Sequence, residues 1–280
     1  MSDTEDIGLS LDSVFTEAPR PPSPEATVSV YNRDLDRPES SQESEGPWST
    51  VKIRLVGSHP LWGHHLWNAA LAFASYLDHN PELYRGRCVL ELGAGGGLPG
   101  IVTAKNGAKT VVLTDYPDAS LIDNLEHNVA INIAEGRRGD VHSQGYIWGQ
   151  KVTPLLELIQ PTAAAPPGFD LIIMSDLIFN HSQHDALLKT CDLVLAKPSL
   201  GMNVSSQNFD PCLLVFYTHH RPHLAHRDLD FFVKARDLGW RCTEILTKRY
   251  PPMFPEDPGE EEVRATVHGW KLTRMDEKDS

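Results

Sequence analysis

The sequence predicts an α/β domain built on a mainly parallel sheet with helices on both faces. Short apolar runs without turn residues, at 88–92, 169–174 and 212–218, suit strands buried on both sides. Amphipathic helical stretches alternate with them, at residues 119–133, 184–196 and 224–238. Glycines crowd the end of the first of these strands, where folds of this class turn sharply into a helix. Alternation of this kind places ligands at the carboxyl ends of the strands.

The centre of the chain is residues 88–100, C-V-L-E-L-G-A-G-G-G-L-P-G. Cys88 to Leu92 reads as the buried strand. Gly93, Gly95, Gly96 and Gly97 let the backbone turn tightly and approach a ligand where a Cβ would collide. Pro99 suits the first turn of a helix running through Lys105. Two registers of the loop imply different ligands. Gly95-x-Gly97-x-x-Gly100 matches dinucleotide spacing, but its first glycine falls beyond the end of the strand. The other register, Glu91-x-Gly93-x-Gly95-x-Gly97, puts an acid ahead of the glycines. A second strand, residues 110–114, ends in Asp115, at the distance expected of a carboxylate that binds ribose hydroxyls. Glu91 and Asp115 are expected to set two negative charges beside the ligand, which would repel a diphosphate.

At 280 residues the chain is long enough for one large domain and a tail. No stretch approaches the roughly 18 consecutive apolar residues of a membrane span, and the N-terminus lacks a signal-peptide core. Four cysteines, Cys88, Cys191, Cys212 and Cys242, are far apart in apolar segments. They read as reduced, buried thiols of a cytosolic protein, without metal-ligand spacing. The net charge of −13 argues against a nucleic-acid partner.

Residues 1–46 are rich in Asp, Glu, Ser and Pro, and through Pro47 the segment carries 11 acids against 3 arginines. This is expected to be a disordered acidic tail, with the domain occupying 47–280. Residues 48–57 alternate, with Val51, Ile53 and Leu55 apolar, and predict a half-buried strand. A loop carrying Trp62 leads into a helix through Leu77; Trp67, in its first turns, reads as a packing residue. Trp62, at the loop-to-helix junction, is placed to cover a ligand by stacking. Residues 144–148 follow a weak third strand, 153–159 predict a helix, and 161–168 and 198–210 predict loops. The fourth strand ends in Ser175-Asp-Leu-Ile-Phe-Asn-His181. A strand at 241–246, an acidic proline loop at 251–262 and a last strand at 263–272 complete the chain. His219, His220, His223 and His226 cluster after the fifth strand, but no acid or thiol lies at ligand spacing, so no metal is expected.

The loop Glu91–Pro99 resembles motif I of the class I S-adenosylmethionine-dependent methyltransferases, and seven strands closing with two adjacent ones is similar to their Rossmann-like topology. Further motifs extend the likeness from Leu55 to the C-terminus: Pro60-Leu-Trp-Gly-His64, Thr114-Asp-Tyr-Pro-Asp118, Gly145-Tyr-Ile-Trp-Gly149 and the segment 175–181. Together they resemble the fungal branch of the seven-strand lysine methyltransferases, and more closely its protein N-terminal and lysine methyltransferases acting on elongation factor 1-alpha. The resemblance implies S-adenosylmethionine as cofactor, a protein substrate, no nucleic acid or membrane partner, and a monomer. It implies cofactor contacts at Trp62, Gly93, Ala94, Gly95, Asp115, Trp148 and Ser175. One departure is Phe179, where related animal enzymes often carry Tyr.

Methyl transfer to nitrogen needs a neutral amine, so the protein must mainly position and desolvate its substrate. With a reference pKa of about 10.4, lysine is roughly 0.04% neutral at pH 7; an α-amine near about 7.8 is roughly 10–15% neutral. Asp176, at the carboxyl end of the fourth strand, is the residue expected to hold the incoming amine; as a structural residue it would instead cap a helix. The tail and the acids between 256 and 262 suggest an acidic rim suited to a lysine-rich segment. Two other readings remain: a small-molecule amine methyltransferase of nicotinamide type, and a non-catalytic binding partner.

Overall fold

The computed structural model describes residues 24–33, 48–159, 166–197 and 210–275. Its main sheet has seven strands: β3 (Cys88–Leu92), β4 (Thr110–Asp115), β5 (Val141–Gly145), β6 (Leu171–Ser175), β7 (Cys212–Thr218), β8 (Trp240–Arg249) and β9 (Thr266–Arg274). They lie in the order β5-β4-β3-β6-β7-β9-β8. The five from β5 to β7 run parallel, and β9 is antiparallel to both its neighbours. The predicted mainly parallel α/β fold is therefore present. The strand order reverses between β3 and β6, and folds of this kind bind ligands at such a switch point.

Helices cover both faces. On one side lie α1 (Asn68–His79), α2 (Leu98–Lys105) and α3 (Ala119–Asn132), whose Phe73, Leu77, Ile101 and Leu125 pack with Val89 and Val111. On the other lie α4 (Thr153–Leu156), α5 (His184–Val194) and α6 (Ala225–Asp237), packing Leu155, Leu187, Phe231 and Phe232 with Leu90 and Leu92. The alternation along β3 explains why it is apolar on both faces: Cys88, Leu90 and Leu92 feed one core and Val89 the other. α7 (Glu261–Ala265) is a single turn that spans the end of the expected acidic loop and the first residues of the strand expected at 263–272, so that β9 begins at Thr266. Among the described residues no helix is long and apolar enough to cross a membrane.

The segment read as a disordered tail through residue 46 is interrupted by order. Residues 27–32 form β1 (Thr27–Asn32), antiparallel to β2 (Thr50–Leu55) in a separate two-stranded sheet. The domain thus recruits part of the acidic segment, and its boundary does not fall at 46/47. Residues 1–23 and 34–47 lie outside the described residues, as do most of the loops expected at 161–168 and 198–210. The other free edge of β2 is met by α3. Asn124, Asn128 and Asn132, four residues apart, share one helix face. Asn132 Oδ1 accepts from Lys52 N–H at 3.0 Å and Asn128 Oδ1 from Arg54 N–H at 2.8 Å. Their amide groups donate in return to the Lys52 and Arg54 carbonyls. A ladder of side-chain amides stands in for a third strand.

β1 is fastened at its far end. Arg33 Nε donates to Asp78 Oδ2 at 2.9 Å, in a pair almost wholly buried. Asn106 donates to the same carboxylate at 2.8 Å, and Trp48 Nε1 donates to Asn106 at 2.9 Å. Removing one member of a buried ion pair leaves a charge without its counter-ion, which costs about 3–5 kcal/mol. Arg33→Ala is accordingly expected to lower unfolding free energy by about that amount in denaturant titration. A loss below about 0.5 kcal/mol would return β1 to the tail.

Candidate active site

The carboxyl ends of β3, β4 and β6 open into a cavity of about 830 Å³. All eight site residues expected from the sequence line it: Trp62, Gly93, Ala94, Gly95, Asp115, Trp148, Ser175 and Asp176. The floor is the glycine loop. After β3 the backbone turns left-handed at Gly93, Gly95 and Gly97, with φ of 58°, 55° and 76°. A Cβ on Gly93 would lie 2.6 Å from Leu177 Cδ2 and 3.1 Å from Trp148, so only glycine lets those walls close.

Asp115 ties the loop to β4. Its Oδ2 accepts from Gly95 N–H at 2.7 Å and its Oδ1 from Tyr116 N–H at 2.7 Å. Burial pushes the carboxyl pKa up, and those two amides pull it part of the way back. Each carboxylate oxygen can take a second hydrogen bond, so the cavity side remains able to accept hydroxyls.

Glu91 does not behave as the sequence suggested. It is fully buried beneath the loop, where its Oε2 accepts from Gly100 N–H at 2.8 Å. Burial pushes its pKa up to about 8, the Gly100 amide opposing and nearby Asp115 adding to the rise. At neutral pH it is therefore mainly protonated, and the second negative charge expected beside the ligand is absent. Glu91 instead braces the first turn of α2 against β3.

Ser175 ends β6 with its Oγ buried and without a hydrogen-bond partner. Asp176 follows with a left-handed φ of 57°. Its N–H donates to the Phe216 carbonyl at 2.7 Å, and its Oδ1 accepts from Thr218 N–H at 3.3 Å. The alternative of a helix cap does not hold: α5 begins at His184, and Gln183 precedes it. Asp176 Oδ2 lies 2.8 Å from His220 Nε2. Beyond them, Asp228 on α6 receives His181 Nε2 and His219 Nδ1, each at 2.6 Å. Of the expected histidine cluster, His219 and His220 each meet a different buried carboxylate, 9 and 44 residues away along the chain. Among the described residues no group of three or more His, Cys, Asp or Glu is arranged to hold a metal.

Aromatic rings form the entrance. Trp67, read from sequence as packing, precedes α1 and faces the cavity, its ring 4.8 Å from His220 and 6.0 Å from Phe254. Trp62, 45% exposed, stacks 6.4 Å from His65, which itself lies 5.2 Å from Trp67, and Phe179 on the rim is 43% exposed. The acidic rim is narrower than expected: Arg249 pairs with both Glu261 and Glu262, and from that loop Phe254 and Asp257 reach the cavity. Sequence reasoning missed His220 and Phe254, while Asp257 belongs to the acidic stretch expected at the rim. For His220 the available signal was its position just past the end of a parallel strand.

Comparison with known proteins bears on the family of the chain. Residues 51–208 match the family described as lysine methyltransferase. The chain is 42% identical over 286 residues to a protein N-terminal and lysine N-methyltransferase of Cryptococcus neoformans, covering 98% of this chain and 91% of that protein. It is 46% identical over 223 residues to the protein of the same name in Schizosaccharomyces pombe, covering 80% and 82%. A solved structure of TYW2 from M. jannaschii in complex with AdoMet is 13% identical, covers 80% of this chain and 83% of that one, and has a TM-score of 0.48.

The buried Glu91 gives a pH test of the site. Because the folded protein holds this proton up to about pH 8 and an unfolded chain releases it at ordinary carboxylate pH, stability falls as pH rises between those values. Glu91→Gln keeps an acceptor for Gly100 and removes the titration. Thermal scans from pH 5 to 8 are expected to show a flatter decline in the variant than in the wild type. Parallel declines would show that Glu91 ionises normally.

Proposed function

The chain belongs to the lysine methyltransferase family, and from that premise we propose that it methylates the N-terminal α-amine and an adjacent lysine of elongation factor 1-alpha. The observation that carries the reading is the convergence, in one cavity, of a glycine floor with Asp115 and a second carboxylate at Asp176. The reading extends to a cytosolic monomer.

The residues present fit S-adenosylmethionine, the cofactor of class I methyltransferases. Asp115 offers acceptors to a ribose diol, Trp148 and Trp62 offer flat apolar walls to an adenine, and Ser175 Oγ is a buried polar atom awaiting a partner. Arg221 and Arg227, the guanidinium groups on the cavity wall, follow β7 and do not stand at the glycine loop where a diphosphate would need them. When bound, the cofactor supplies a methyl group made electrophilic by its sulfonium.

The protein's own part is to bind and dry the amine. Asp176 receives it as an ammonium, on a carboxylate 5% exposed. Trp67, Phe254 and His65 exclude water around it, which favours the neutral form the reaction requires. The methyl acceptor is poised by position, so correct placement supplies most of the rate. Asp257 at the mouth gives a second carboxylate for a cationic side chain next to the target amine.

Two measurements test this reading. Asp115→Ala is expected to weaken S-adenosylmethionine binding by about 1–3 kcal/mol in calorimetry, the scale of lost charge-assisted hydrogen bonds. Unchanged affinity in a folded variant would remove Asp115 from the cofactor site. With labelled cofactor, a peptide bearing the free N-terminus of elongation factor 1-alpha should be labelled at its α-amine. The same peptide acetylated there should not be, since the amide nitrogen has no available lone pair. Preferential labelling of nicotinamide at equal concentration would instead select the small-molecule reading.

A further inference from the structure

Asp176 is not an empty receptor. Its Oδ1 already accepts from Thr218 N–H at 3.3 Å, and His220 Nε2 sits 2.8 Å from its Oδ2. Both side chains are almost buried, so the pair is poorly screened by water. When His220 is protonated, the two groups form a neutral ion pair, and the site has no net charge to attract an ammonium. When His220 is neutral, the carboxylate keeps its full charge.

We propose that His220 is a built-in competitor for the amine subsite, so that the incoming ammonium replaces the imidazolium as the counter-ion of Asp176. His220 is thereby a positioning residue that sets when the site can be charged. This rests on the functional reading above, in which Asp176 receives the amine.

The surroundings fit such an exchange. Burial alone lowers the imidazole pKa, but the Asp176 carboxylate, through charge and hydrogen bond, overrides it, with Asp228 and Asp257 adding to the rise. His220 in the free protein is therefore charged at higher pH than an ordinary histidine. The groups that face it come from several elements: Asp176 after β6, Asp228 on α6, Asp257 from the loop before α7, and the Trp67 ring ahead of α1. Arg221 and Arg227 line the same wall, and His65 stands beyond Trp67. The neighbouring His219 is engaged by Asp228 and not by Asp176. One carboxylate thus faces one imidazole and one vacant approach from the cavity.

The sign follows. Below the raised pKa, binding an ammonium at Asp176 must expel a proton from His220 to solvent, which weakens binding by up to tenfold per pH unit. Above it, no proton is exchanged and affinity levels off. Gln at position 220 can still donate to Asp176 but carries no charge.

The test uses the enzyme loaded with S-adenosylhomocysteine, which prevents turnover, and a synthetic peptide with a free α-amine followed by lysine. Imidazole titration by NMR should show the His220 pKa falling by at least about one unit when the peptide saturates the site, the scale expected for loss of a paired carboxylate. Calorimetry at pH 6.5 in two buffers of different ionisation enthalpy should show proton release by the wild type and none by His220→Gln. In a separate turnover assay with S-adenosylmethionine at pH 6, the variant should also have a lower KM for the peptide than the wild type, by several-fold, with kcat little changed. A purely structural role for His220 would raise KM or lower kcat instead. Peptide binding that leaves the His220 titration unmoved overturns the inference even if the variant fails to fold, because that readout needs only wild type. Equal proton release by the two proteins assigns the proton to the amine and also overturns it. Failure of the peptide to bind at any pH overturns the functional reading, and the inference falls with it.

Discussion

The side-chain amide of Asn128 joins three pieces of chain that would otherwise have no reason to meet. Its oxygen accepts from Arg54 N–H, and its nitrogen donates to the Arg54 carbonyl at 2.8 Å and the Gly96 carbonyl at 3.0 Å. β2, α3 and the glycine loop are thus held by one fully buried group. Ile53 lies so close to Gly96 that a Cβ there would come within 2.4 Å of it. The small outer sheet is therefore a backing plate for the loop that floors the cavity. That explains why the fold recruits residues 27–32 from an acidic segment. Without β1, β2 would have a single partnered edge, and the loop behind Gly96 would rest on a weaker support.

Four buried or half-buried acids serve the site, and their partners divide their work. Glu91 meets one backbone amide and no cation, so it stays protonated and structural. Asp115 meets two amides at the cavity edge and joins β4 to the loop. Asp228 is shared by two imidazoles and ties the segment after β6 to the end of β7 and to α6. Asp176 has one imidazole and one amide on its carboxylate, and faces the cavity. Asp228 lines the cavity too, but both its oxygens are taken by imidazoles. The division follows from hydrogen-bond capacity and desolvation, not from residue type.

The sheet and the cofactor end of the cavity were legible because their signals are local. Cys88–Leu92, the glycines after it and Asp115 at the end of the next strand lie within 28 residues and form one βαβ unit. β1 was hidden by averaging: six alternating residues vanish inside a long acidic composition, and its apolar Val28 and Val30 face solvent. The charge state of Glu91 could not be read, since it depends on burial from every side. The end of the cavity at Asp176 was half legible. Asp176 was marked by its strand terminus, but His220 reaches it across 44 residues and Phe254 and Trp67 from opposite ends of the domain. Sequence spacing carries no record of such meetings. They are made by the sheet order, which sets β6 beside β7 and brings the turn after each to a common edge.

Backbone strain marks the same two ends of the cavity. Among the described residues, Trp62 and Asp176 are the non-glycine residues with positive φ, at 63° and 57°. For an L-residue that conformation costs on the order of 1 kcal/mol, less for Asp than for a bulky side chain. At Asp176 the cost is offset locally, by the amide bond to Phe216 and the carboxylate bond to Thr218. Gly would turn as readily there but would bring no carboxylate. At Trp62 the offset is weaker: the N–H reaches the His59 carbonyl at 3.0 Å, and the ring is nearly half exposed. Stacking on His64 and His65, at 6.0 and 6.4 Å, leaves the ring nearly half exposed and is only a partial reason to keep an aromatic there. A flat ligand beneath the ring would supply another, burying its free face and returning the strain energy as affinity. The two strained residues thus both line the cavity, one in the loop before α1 and one just after β6.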